Sequence, residues 1–317
     1  MNKDKYFGDI VGQDNVKNKL SFYIDGFKTT SMVPHFLFVA DKGCGKTEMA
    51  KRVAKNLTID GKPKKAKELN CSTLKSMTQF TEQILLPFVQ DNDVTLVFDE
   101  ASELPRDITM SLLTMLNPND NNRNTIITSD GGSIDINFKR HSFMFCTTEI
   151  HKLFHALKSR LTRVDLQPYK NNELMTIVKN NIKKNKHDIS FDELSEKEIP
   201  TVLRGNPRCA QLLTSDIINY CSQFNIKLFD FSCWNKLKSV LDIKPLGLNN
   251  TEIQVLRALK DNPHCRLIDI SSKIGLSSAS IQRDIEIFLL KQNLIKVDSG
   301  RCLTQKGLEY LDDLDKC

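Results

Sequence analysis

Short apolar runs with few charges punctuate the first half of the chain, at residues 35–40, 95–100 and 142–148. Runs of this length fit strands covered on both faces, as in a parallel sheet, better than strands with one wet face. Residues 66–72 and 163–169 are further candidates of the same kind. Between the runs lie amphipathic stretches such as 46–57. Strand–helix–strand alternation of this sort predicts an α/β domain built on a parallel sheet.

The texture changes after Pro168. From 171 to 243 apolar residues recur at three- and four-residue spacing, which predicts a small helical bundle, and Pro207 sits where a helix start tolerates its missing N–H. Residues 244–250 form a second boundary. Beyond it the spacing predicts two helices, a third opened by Ser277 or Ser278 as cap, and a hairpin over 294–304. Three helices followed by a hairpin is winged-helix order. The chain therefore divides on its pattern into 1–168, 169–243 and 244–317.

Composition narrows the class only a little. The 317 residues are 40% hydrophobic and 26% charged, enough for two or three packed domains of ordinary surface. A formal net charge of +6 permits nucleic-acid binding without requiring it. Nine cysteines include no Cys-x-x-Cys pair, which argues against a zinc site and for free thiols in a reducing compartment. The N-terminus carries no apolar signal core, and no run approaches the about 18 apolar residues of a membrane span. These features predict a soluble cytoplasmic protein with no membrane partner. The basic run 62–67 reads as a solvated loop.

The strongest chemical signal is residues 40–47, Ala-Asp-Lys-Gly-Cys-Gly-Lys-Thr, which follow a strand-like run and open a helical one. That is the context of a phosphate-binding P-loop. Backbone N–H groups of Lys42, Gly43, Cys44, Gly45, Lys46 and Thr47 would wrap the phosphates of ATP. Lys46 would reach the β- and γ-phosphates, and Thr47 would place its hydroxyl on Mg²⁺. Ala40 stands where the strict pattern has its first glycine. Some fifty residues on, four apolar residues end in Asp99-Glu100. In a P-loop protein Asp99 would hold the Mg²⁺ shell, and Glu100 would orient or deprotonate the attacking water.

In this order the motifs resemble those of AAA+ ATPases, and in detail the chain resembles the RuvB family of Holliday-junction branch-migration motors along nearly its whole length. Residues 7–20 are similar to the segment with which that family begins, which implies that Ile10 and Val11 line an adenine pocket. The strand ending in Thr147-Thr148 resembles sensor 1, a role the resemblance places on Thr148; Glu149 stands where the family usually carries arginine. The Ser-Arg segment at 159–160 implies an arginine finger at Arg160, with Arg163 the weaker candidate, and the segment at 204–213 implies that Arg208 is sensor 2. The resemblance further implies an AAA+ domain with a helical lid and a winged helix. It implies a homo-oligomeric ring, hexameric in the family, acting on double-stranded DNA at four-way junctions.

Two segments add partners to this picture. Residues 123–138 read as a β-hairpin turning at Asp130-Gly131, and the resemblance implies docking on a RuvA-like junction-binding protein through Ile126, Ile127, Ile134 and Ile136. A hairpin packed on its own domain is the equal alternative. In the winged helix, Arg283, Lys296 and Arg301 are candidate duplex contacts, Arg301 following Ser299-Gly300 as a basic turn. Two other readings stay open: a clamp-loader or helicase-loader switch of the same class, and a DNA-binding regulator that holds nucleotide without turnover.

Overall fold

The apolar runs become the strands of one sheet. This computed structural model describes residues 4–59, 61–117, 123–127 and 132–316. In chain order it contains β1 (Phe36–Val39), β2 (Lys65–Asn70), β3 (Val94–Asp99), a hairpin of β4 (Arg123–Ile127) and β5 (Ser133–Asn137), then β6 (Ser142–Thr147) and β7 (Thr162–Asp165). The sheet order is β2-β3-β6-β1-β7, and every neighbouring pair is parallel. Side chains alternate between two cores. Leu96, Phe98, Phe143 and Phe145 enter one, while Val97, Met144 and Cys146 enter the other. Because both faces are covered, the central strands need apolar residues at successive positions, which is why they appear as unbroken runs. Phe98 and Phe145 stack with centroids 4.7 Å apart.

Helices α1 (Asp14–Thr30) and α2 (Lys46–Asn56) supply the second core with Leu20, Ile24 and Phe27, and with Met49, Ala50 and Val53; α3 (Arg106–Met115) gives Ile108 and Leu112 to the first. The hairpin pairs Ile126 opposite Ile134; its expected turn at Asp130-Gly131 lies outside the described residues. Ile136 is 1% exposed and belongs to the first core. It cannot serve as the docking contact proposed for it, because its apolar surface is already spent inside its own domain.

The chain forms two compact units, residues 1–189 with 205–227, and residues 190–204 with 228–317. The first also holds α4 (Asn171–Lys184) and α5 (Pro207–Phe224), which pack on each other. The second begins with a two-residue parallel pair, β8 (Ser190–Phe191) and β9 (Leu228–Phe229), too short to leave a periodic trace in the sequence. It continues through α6 (Phe231–Val240), α7 (Asn250–Asp261), α8 (Leu267–Ile274) and a helical stretch over 278–291 (α9), capped by Ser277. The expected hairpin is β10 (Ile295–Val297) with β11 (Arg301–Leu303), and α10 (Gln305–Lys316), which the pattern reading passed over, closes the fold. Leu256, Ile270, Ile285, Leu289 and Leu311 share its core. No helix among the described residues is long and apolar enough to cross a membrane.

The basic run 62–67 is largely exposed, as its charges suggest, but it is strand rather than loop and one of its lysines is buried. Lys64 is 5% exposed and gives its ammonium to the Arg140 carbonyl and, at 2.8 Å, to Ser142 Oγ. It lies near the buried His141 and the half-buried His35 at the starting ends of the strands. His35 Nδ1 accepts the Phe143 N–H at 3.2 Å, so the ring must be neutral there, and burial lowers its pKa to about 4. Burial also lowers the pKa of His141. Both rings thus bind fewer protons when folded than when unfolded, where histidine titrates near ~6.5. Stability present at neutral pH should therefore be lost as pH falls from about 6.5 through about 4. Urea midpoints taken across that range should fall, and His35→Gln should flatten the dependence; a level profile in the unchanged chain would contradict the neutral rings.

Candidate functional site

The largest cluster of candidate residues meets at the C-terminal ends of the parallel strands, where a βαβ sheet places its ligands. A cavity of about 840 Å³ opens there, within the first unit. The loop after β1 forms one wall. Gly43 and Gly45 have φ of +83° and +87°, in the left-handed region. At Gly45 an added Cβ would meet nothing within 4 Å, so the backbone faces open space. At Gly43 it would fall 2.4 Å from Asn206 Oδ1, so contact as well as φ demands glycine. Ala40 is not among the positive-φ residues, which explains why alanine fits where the strict motif has glycine.

Lys46, first residue of α2, is 9% exposed and donates to the carbonyls of Ala40 and Asp41, both at 3.0 Å. Burial pushes its pKa down. Thr47 Oγ1 donates to Asp99 Oδ1 at 2.9 Å, joining the start of α2 to the end of β3. The same carboxylate oxygen accepts the Glu100 N–H at 3.1 Å. Glu100 has φ 54°, a left-handed backbone that costs a non-glycine residue about 1–3 kcal/mol and is tolerated chiefly at functional positions. Thr147 is buried and its hydroxyl accepts the Glu149 N–H at 3.0 Å, whereas Thr148 is exposed on the cavity wall. Of the pair, Thr148 has the accessible hydroxyl. Glu149, also on the wall, pairs with Lys152 at 2.8 Å.

Other parts of the lining are less charged. Ile10, Val11, Tyr169, Ile177 and Pro207 form them, with Asn180, Asn181 and Lys184. Gln13 ties this N-terminal segment down, donating to the Gln167 carbonyl at 2.6 Å and accepting the Gln167 N–H at 3.1 Å. Burial raises the Tyr169 hydroxyl to about 12, so it stays neutral. Tyr169 and the α4 residues escaped the sequence reading. Their signal was positional: 177, 180, 181 and 184 form one stripe of α4, beside the buried stripe of Leu174, Val178 and Ile182. Arg208 lines the cavity from the first turn of α5, where Asn206 caps the helix by accepting the Arg208 N–H at 2.9 Å.

The cavity thus gathers Lys42, Gly43, Gly45, Lys46, Thr47, Asp99, Glu100, Thr148, Arg208, Ile10 and Val11; Cys44 is buried beside it in the loop. Arg160 is not part of its lining. Its Nη1 donates to the Ala156 carbonyl at 2.8 Å, and its Nε is buried with no partner among the described residues. Arg163 is taken up by Asp165 at 2.6 Å. In the winged helix, Arg301 is ion-paired within its own unit. Its guanidinium binds both carboxylate oxygens of Glu286, at 3.0 and 3.3 Å, and the two side chains are 18% and 9% exposed. The pair fixes the guanidinium on the hairpin and partly offsets the charge it would offer to a phosphate. Lys296 is exposed on the hairpin, and Arg283 is exposed and ion-paired to Asp284.

The open glycine backbone, the buried lysine resting on weak carbonyl partners and the Thr47–Asp99 pair all suit a nucleotide triphosphate. Fold and cavity define a P-loop ATPase domain of the AAA+ class, followed by a winged helix. The chain belongs to the RuvB family. The model of the "Holliday junction DNA helicase RuvB P-loop domain" matches residues 3–165, and that of the "RuvB C-terminal winged helix domain" matches residues 245–312. The branch migration complex subunit RuvB of Mycoplasmopsis pulmonis is 27% identical over 98% of this chain and 97% of its own length. That of Ehrlichia canis is 28% identical over 96% and 91%. Among solved structures, the Thermotoga maritima RuvB Holliday junction branch migration motor superposes with a TM-score of 0.77, at 21% identity over 95% of both chains.

Lys46→Ala should abolish nucleotide binding, since no other ammonium lies in the first turn of α2. Gly43→Ala should weaken binding about tenfold or more through its φ and the Asn206 contact. Calorimetric titration with a non-hydrolysable ATP analogue measures both, and unaltered affinity in either variant would contradict the loop geometry described.

Proposed function

We propose that this chain is the ATP-hydrolysing subunit of a ring that moves double-stranded DNA and so drives branch migration of Holliday junctions. The observation that carries the reading is the composition of the cavity: every expected catalytic group lines it except Arg160. Lys46 and the loop N–H groups hold the phosphates, Thr47 and Asp99 hold Mg²⁺, and Glu100 orients the attacking water. Thr148 and Arg208 sense the γ-phosphate. Phosphoryl transfer needs positioning and charge stabilisation more than covalent chemistry. The missing positive charge is Arg160 of a neighbouring copy. A head-to-tail contact of this kind either closes into a ring or grows into a filament, and the resemblance favours a closed hexamer.

Residues 1–168 act as motor, 169–243 as lid and 244–317 as duplex grip. Lys296 and Arg283 supply phosphate contacts that ignore sequence, as translocation requires. Ile126, Ile127 and Ile134 of the hairpin dock a RuvA-like junction-binding partner. Free thiols at all eight described cysteines suit the cytoplasm.

Two measurements test this. With ATP, duplex arms and a RuvA-type partner, the chain should migrate a four-way junction in a strand-exchange assay, and Glu100→Gln should bind ATP yet release no phosphate. Arg160→Ala should also bind ATP but lose turnover by about 10³-fold or more. Mixing Glu100→Gln with Arg160→Ala chains should restore part of the activity, because some interfaces then combine an intact Glu100 with an intact Arg160. Failure of every mixture to recover would refute the finger in trans.

A further inference from the structure

Three consecutive residues, Arg204, Gly205 and Asn206, join the two units, and each is anchored by its own side chain or backbone. In the first unit, Asn206 Nδ2 donates to the carbonyl of Lys42 in the phosphate loop at 3.0 Å, while its Oδ1 caps α5. The Gly205 carbonyl accepts the N–H of Tyr169, which lines the cavity, at 3.1 Å. In the second unit, Arg204 grips both carboxylate oxygens of Glu252 in α7, at 2.8 and 3.2 Å, and its guanidinium lies 3.5 Å from the ring centroid of Phe288 in α9. Glu252 is 1% exposed and also accepts the Asn249 N–H at 2.9 Å, so its position is determined by α7. The chain crosses between units at 189–190, 204–205 and 227–228. At 204–205 one peptide bond separates an anchor on the nucleotide cavity from an anchor in the winged helix.

We propose that Arg204-Gly205-Asn206 is a coupling strap that carries the state of the phosphate loop to the winged helix. The proposal rests on the nucleotide reading of the cavity. Lys46 holds the carbonyls of Ala40 and Asp41, neighbours of the Lys42 carbonyl that Asn206 holds. A phosphate that draws Lys46 away releases those carbonyls and changes the loop that Asn206 grips. Hydrogen bonds at Lys42 and Tyr169 pass the change to Gly205. The rigid two-point contact of Arg204 with Glu252 and its stacking on Phe288 pass it to α7 and α9. Arg204 and Asn206 are positioning residues, distinct from Arg208, which faces the cavity itself.

Hydrogen exchange on the full chain, with and without a non-hydrolysable ATP analogue, tests the strap, and calorimetry reads analogue binding separately. In the unchanged chain the analogue should slow exchange in α7 and α9 by about threefold or more. Arg204→Lys keeps the charge but loses the paired bonds and the stacking. It should bind the analogue within about twofold of the unchanged chain while the response in α7 and α9 disappears. Asn206→Ser keeps a helix cap and loses the donor to Lys42. It should likewise silence α7 and α9 while the response around the cavity persists. If Arg204→Lys melts the winged helix, Asn206→Ser decides alone. A response in α7 and α9 that survives in both variants, or none there in an unchanged chain that binds the analogue, overturns the strap. An unchanged chain that binds no analogue overturns the cavity reading and the strap together.

Discussion

A lysine ammonium held out of water at the tip of a parallel sheet is the constraint around which the first unit is organised. Lys46 sits at the start of α2, where the helix dipole already favours negative charge, and its own partners are two carbonyl oxygens. Two neutral acceptors compensate a desolvated charge only partly, which is why burial pushes its pKa down. The group is poised for an anion, and the fold supplies the geometry: β1 feeds the loop, β3 and β6 end beside it, and the parallel order brings Asp99 and Thr148 to the same rim. An antiparallel arrangement would have sent half of these strand ends to the far side.

Legibility in the sequence followed how local each cause was. Apolar runs covered on both faces leave a strong signal, and the runs at 35–40, 95–100 and 142–148 became Phe36–Val39, Val94–Asp99 and Ser142–Thr147. The last run, 163–169, was too long, because β7 pairs only with β1, over four residues, and Leu166 and Tyr169 are buried for other reasons. The P-loop was readable because its chemistry depends on adjacent residues. Tyr169 and the stripe of α4 were not, since their role depends on two distant segments meeting. The final helix α10 had an amphipathic pattern but no expected place in the three-helix scheme.

Charge was the least legible property, because a sequence gives the sign of a residue and not its partner. Lys64 looked solvated among neighbouring lysines, yet β2 and the start of β6 enclose it with acceptors. Arg301 looked like the exposed tip of a basic turn, yet Glu286, fifteen positions earlier, is set by α9 to meet it. Ile136 looked available for a partner, yet it is buried in the first core with Phe138 and Phe143. Each reversal comes from a partner brought by tertiary structure, against which residue type is a weak guide.

The same logic gives the absence of Arg160 from the cavity its meaning. A catalytic guanidinium built permanently into the site would stabilise phosphate charge before hydrolysis as well as during it, and uniform stabilisation does not accelerate a step. On the proposed reading a neighbouring copy would supply it, so that it would act only when two chains are in register. Turnover would then report the arrangement of the assembly. A motor needs such a condition, since hydrolysis by isolated subunits would dissipate ATP without moving anything. The unpartnered, buried Arg160 Nε fits a side chain whose final hydrogen bonds lie outside its own chain. Within the chain, the strap at 204–206 would serve the complementary need, because an event at the phosphate loop does mechanical work only if it reaches the surface that holds the load.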